Sequence, residues 1–196
     1  VIEGKILGIL SSQKVGPTIA DDIRNKAIMA IGFALIIIFV YIAIRFRKWE
    51  FGLGGLISLA HDAFCTIGLF SMFYNILPFN LEIDQAFIAA LLTIIGYSIN
   101  DTIVVFDRIR ENLKVLRRES FHNIINISIN QTLSRTINTS LTTLIAVAVV
   151  WIFGGEVVHD FAFALFIGIG IGTYSSIFIA SVLVFEWQSR LEMRKG

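Results

Sequence analysis

Five long apolar runs, separated by short polar stretches, set the layout of this chain. They cover about 27–44, 51–76, 85–106, 133–153 and 161–185. The first carries no charge and spans about 27 Å at 1.5 Å per residue, enough to cross a bilayer core with its flanking residues. The pattern predicts five membrane-spanning helices. Ahead of the first, Gly16-Pro17 followed by Thr18, Asp21 and Asp22 reads as a helix start, with proline in the first turn and acid near the positive end of the dipole. Residues 1–16 alternate only loosely and are expected to be the last piece of a folded unit that began upstream; 187–196 form a polar tail.

The polar stretches orient the spans. Arg45, Arg47 and Lys48, the cluster from Arg108 to Arg118, and Arg190, Arg194 and Lys195 all fall on one side if the spans alternate. The two opposite loops, 77–84 and 154–160, contain neither lysine nor arginine. Basic loops stay cytoplasmic, so the N-terminal segment is expected outside and the C-terminus inside. Between the third and fourth spans, residues 107–130 set Ile109, Leu113 and Leu116 against basic positions, which predicts an amphipathic helix lying at the membrane interface.

Composition strengthens the membrane reading. Of 196 residues, 56% are hydrophobic and 16% charged, and the mean hydropathy is +0.78. A water-soluble core is excluded, and a net charge of +1 gives no reason to expect a nucleic-acid partner. The single cysteine, Cys65, rules out an intrachain disulfide and a cysteine-cluster metal site.

Candidate chemistry follows from charges that the apolar runs should not contain. Asp101 lies on the third span beside Asn100, about 24 Å along a helix begun at Gln85. An ionised carboxylate there costs roughly 2.5–3.5 kcal/mol on insertion scales, which marks it as functional and in need of a partner. Asp101 shares a helix face with Ser98, Val105 and Arg108. Asp107 points about 240° away, and with Arg108 and Arg110 it reads as interfacial charge. On the fourth span Arg135, Asn138, Thr139 and Thr142 form one polar stripe expected to face a protein interior, toward Asp101 or toward a partner. His61-Asp62 is a second intramembrane pair that would relay protons or bond a facing helix. Gly168, Gly172, Ser176 and Ala180 recur every four residues and suit close helix packing. The run from Gly168 to Gly172 is no dinucleotide fingerprint, because it lies within an apolar helix rather than after a strand.

Five stretches carry a resemblance. The segment from Gly96 to Asn112, which includes Ser98-Ile99-Asn100-Asp101-Thr102 and Phe106-Asp107-Arg108, resembles the hallmark of the SecF half of the bacterial SecD/SecF protein-export family. The stretches from Leu133 to Ser140 and from Gly172 to Ser176 match it too, as do Val15-Gly16-Pro17 and His61-Asp62. The resemblance implies an all-α integral membrane protein of the resistance-nodulation-division superfamily: five helices of a six-helix half, preceded by the end of an extracytoplasmic α/β domain. It also implies an inner-membrane component, not an enzyme, that uses proton flow to help draw preproteins outward, with SecD, the SecYEG channel and the SecA motor as partners. No cofactor is expected beyond the proton. Asp101 would carry that proton, with Arg135 as its charged counterpart. Two other readings stay open: a proton-coupled exporter of small molecules or lipids, and a scaffold that conducts nothing.

Overall fold

Every apolar run becomes a helix, and in several cases the helix outlasts the run. The computed structural model describes residues 17–73, 76 and 84–193. Its helices are α1 (Pro17–Phe46), α2 (Trp49–Phe73), α3 (Gln85–Val115), α4 (Phe121–Phe153), α5 (Glu156–Ser175), a π-helical turn (Ser176–Ala180) and α6 (Ser181–Met193). The last three make one rod, so five stretches are long and apolar enough to cross a membrane. The expected extracytoplasmic remnant, residues 1–16, lies outside the described residues.

The interfacial helix expected over 107–130 is replaced by the ends of two longer rods. At 31 residues, α3 is about 46 Å long, well beyond the roughly 30 Å hydrocarbon core. Of the apolar positions read as one side of a surface helix, Ile109 is buried and Leu113 and Leu116 are half-buried, continuing the inward face of Val105 and Phe106, and Asn112 is buried beside them. Asn112 then ties the two rods together by donating to Ser128 Oγ at 2.8 Å and to Gln131 Oε1 at 2.9 Å. The loop between them is short because both ends are capped. The Leu116 amide donates to Asn112 O, and Ser120 Oγ accepts from the Asn123 amide. Between α1 and α2 the chain reverses at Arg47, whose φ of 55° is left-handed.

In lipid, helices associate through close packing and hydrogen bonds rather than through burial of apolar surface. Here that packing forms two apolar layers. At the basic end Phe46, Phe51 and Phe106 meet with ring centroids 5.0–5.8 Å apart, together with Ile42, Ile109, Ala180 and Val184. At the opposite end Phe70, Phe87 and Phe163 gather around Ala90 and Ala164. Between these layers each of α2, α3 and α5 presents hydroxyls or carboxylates. Outward, α1 exposes Phe33, Ile36, Ile37 and Ile44, a surface suited to lipid.

Candidate functional site

Asp101 lies in the middle layer and is 3% exposed. Its neighbours along α3, Ser98, Thr102 and Val105, are also buried, which makes this the inward face. One protein group bonds the carboxylate among the described residues: Ser140 of α4 donates to Oδ2 at 3.2 Å. Behind Ser140 stands Thr173 of α5, whose Oγ1 is 2.8 Å from Ser140 Oγ and 2.8 Å from the Ile169 carbonyl. A threonine has one hydroxyl proton, so Thr173 serves one of these acceptors at a time.

A second carboxylate sits across α3. Asp62 of α2 is fully buried, and Ser98 donates to its Oδ2 at 2.6 Å. Ser176 donates to the Ser98 carbonyl at 3.0 Å, and Thr102 donates to Ser176 Oγ at 2.9 Å. Adjacent helical positions do not normally face each other, yet the His61 ring folds back and places Nδ1 3.2 Å from Asp62 Oδ1. Its Nε2 is 3.3 Å from Cys65 Sγ. Ser58 donates to Ser175 Oγ at 3.2 Å in the same layer. The π-helical turn begins at Ser176, where the rod broadens beside these groups; turns of this kind recur at functional sites.

Close approach of α5 to α3 makes the layer possible. A Cβ on Gly172 would lie 2.9 Å from Ser98 Cβ, 3.1 Å from Ser98 Oγ and 3.5 Å from Asp62 Oδ2. One on Gly168 would run into the Ile94 side chain. Gly172→Ala is therefore expected to push α5 off α3 and disturb the Ser98–Asp62 bond, lowering stability by about 1–3 kcal/mol. Gly170, with open space around its Cβ position, supplies the control: Gly170→Ala should be close to neutral. Thermal unfolding of the two purified variants in detergent compares them, and equal losses would count against the contact.

The stripe of Arg135, Asn138, Thr139 and Thr142 is placed differently from Ser140. Arg135, Asn138 and Thr142 are exposed, with Arg135 at the flank of the buried face of α4. The threonines bond their own helix, Thr139 donating to the Arg135 carbonyl and Thr142 to the Asn138 carbonyl. No hydrogen bond or ion pair engages the Arg135 guanidinium among the described residues. The inward side of α4 is instead Ser128, Thr132, Thr136 and Ser140, all buried. Sequence reasoning passed over this set and over Thr173, although hydroxyl residues every fourth position were the available signal. Asn100 is exposed. Asp107 pairs with Arg45 at 3.1 Å, Arg108 with Glu111 at 2.6 Å, and Arg110 donates to the Arg45 carbonyl, so these charges stay at the basic end. Among the described residues no group of three or more His, Cys, Asp or Glu could hold a metal.

Comparison with known proteins places this architecture. The family model described as protein export membrane protein SecD/SecF, C-terminal, matches residues 4–190. The chain is 54% identical over 187 residues to protein translocase subunit SecF of Rhodothermus marinus, covering 95% of this chain and 60% of that protein. It is 48% identical over 188 residues to protein translocase subunit SecDF of Thermus thermophilus, covering 96% of this chain and 25% of that one. A crystal structure of SecDF in a super-membrane-facing form superposes with a TM-score of 0.76 at 45% identity, over 92% of this chain and 23% of that one. The chain thus spans between about a quarter and 60% of the length of these relatives.

Proposed function

Because the chain belongs to the SecD/SecF protein-export membrane protein family, we propose that it is part of an inner-membrane Sec component in which proton movement through the helix bundle assists preprotein export. The observation that carries this reading is Asp101, buried between two aromatic layers and bonded by one neutral hydroxyl. A carboxylate in such a place is stable as an ion only when a cation meets it. Taking up a proton removes that requirement and turns the group from a pure acceptor into a donor. Ser140 and Thr173 can follow by reversing their hydroxyls, and α3, α4 and α5 are the helices such a change would repack.

The energy source is the gradient. One elementary charge crossing the potential supplies about 2.3 kcal/mol per 100 mV, so a few protons per cycle would bias a domain movement. The counter-charge is Arg135, exposed on α4, which would meet Asp101 or a second half such as SecD. SecYEG and SecA are the further partners that the resemblance implies. The test is export into inverted membrane vesicles carrying the complete complex. Export should rise with an imposed proton gradient and fall when a protonophore collapses it. Gradient-independent export would overturn the coupling and leave the scaffold reading.

The same proposal fixes an orientation, with the basic ends of the helices in the cytoplasm. Cysteines introduced at positions 47 and 117 are expected to resist an impermeant thiol reagent in intact cells with a permeabilised outer envelope. Those at 80 and 156 should react. Labelling of position 117 ahead of position 80 would invert the bundle.

A further inference from the structure

We infer that Asp62 is a second proton-exchanging carboxylate of this chain, served through His61 from the groove between α2 and α5. The inference rests on the proton-coupled reading above and extends it to a residue that the Asp101–Ser140 pair does not use.

The hydrogen-bond directions carry the argument. A nitrogen and a carboxylate oxygen 3.2 Å apart need a hydrogen between them, so one proton sits at the His61–Asp62 junction. On the other oxygen, Ser98 donates at 2.6 Å. Ser176 cannot donate to Ser98 Oγ as well, because its own proton goes to the Ser98 carbonyl, while Thr102 donates to Ser176. Every hydroxyl proton in this cluster therefore has one destination, and Asp62 is where both His61 and Ser98 point. The far side of the imidazole faces Cys65 at 3.3 Å. His61 lines an apolar groove of about 580 Å³ with Cys65, Gly68, Leu69, Ile171 and Tyr174. His61 keeps 35% of its side chain exposed there, whereas Asp62 keeps none.

An imidazole placed in this way moves a proton without keeping it. A proton handed to Nε2 by water entering the groove, with one leaving Nδ1 for Asp62 Oδ1, carries a single proton from that water to the carboxylate. The ring ends neutral with its tautomer exchanged, and rotation of the ring resets it. The charged and titratable groups around Asp62 are few. Its own helix supplies His61 and Cys65, and α3 supplies Ser98 and Thr102 with Asp101 between them. From α5 come Gly172 and, on the groove wall, Tyr174, while α1 packs Phe39 and Ile42 against the α2 glycines. Asp62 is thus reached by the Ser98 hydroxyl of α3, and Asp101 by Ser140 of α4 with Thr173 of the α5 rod behind it.

Infrared difference spectra of the complete complex in vesicles, recorded between alkaline and acidic buffer, test this directly. Two carboxylic-acid carbonyl bands are expected from these helices, one lost in Asp101→Asn and the other in Asp62→Asn. Asp62→Asn should also lower gradient-driven export on the order of a hundredfold. Asparagine keeps an acceptor oxygen for Ser98 and turns its amide N–H toward His61 Nδ1, which accepts in the other neutral tautomer, so a merely structural Asp62 would tolerate it. His61→Gln should move the pH midpoint of the Asp62 band without removing it, and this arm stands even if the asparagine variant fails to assemble. An unchanged midpoint in His61→Gln, or an intact band and full export in Asp62→Asn, overturns the inference. If Asp101→Asn meanwhile loses its own band and its export, the reading of Asp101 survives that failure. If Asp101→Asn changes neither, the underlying reading is what has failed.

Discussion

Asp101→Asn in the complete complex is expected to abolish gradient-driven export, a fall on the order of a hundredfold or more, while membrane insertion and assembly stay intact. Asparagine matches aspartate in shape and keeps an oxygen for the Ser140 hydroxyl. What it lacks is a removable proton. Its amide adds a buried donor, and leaving that unpaired costs about 1–3 kcal/mol, a dent in stability rather than a loss of fold. Export should therefore lose its response to the gradient while the complex can still be purified whole. A thermal unfolding curve on the same preparation separates the two effects. Export with a normal gradient response would remove Asp101 from the mechanism and turn the buried hydroxyl layer into structural glue.

The five spans and Asp101 were legible because lipid imposes simple rules. An apolar run must be helical, and a charge inside one must have a reason. The lengths of α3 and α4 were not legible, since the polar residues after Phe106 look the same whether a helix turns to lie along the interface or continues outward. The pairing of Asn112 with Ser128 and Gln131 decides for the rods, and no local pattern announces it. The inward face of α4 was misleading for a related reason. The eye goes to Arg135 with its asparagine and threonines, but helices in lipid approach through small residues. Ser128, Thr132, Thr136 and Ser140 can let α3 and α5 come close, and an arginine cannot. The π-helical turn leaves no trace in the periodicity, although it stands where Ser175 and Ser176 both become fully buried.

The placement of Arg135 sharpens what its replacement should do. On this chain it is exposed, and no hydrogen bond or ion pair engages it among the described residues. An arginine there has two ways to satisfy its charge: it can reach headgroups along its own stem, or it can meet an acceptor on a partner packed over α4. The relatives named SecDF are about four times the length of this chain, which covers 25% of one of them, so they contain ample structure to form such a partner. If a partner carboxylate or Asp101 itself is clamped in one stage of the cycle, truncation leaves a charge unpaired at a cost of about 2–5 kcal/mol, tenfold or more in rate. Arg135→Ala should then lose most gradient-driven export. Arg135→Lys should recover only part of it, because an ammonium lacks the planar fork that holds a carboxylate and its neighbour together. Headgroup anchoring predicts the opposite order, with lysine restoring export fully and alanine costing little, since a surface charge in water is worth about 1 kcal/mol or less. Measuring both variants in the same vesicles decides between them, and near-normal export by Arg135→Ala would leave Asp101 to find its cation elsewhere in the complex.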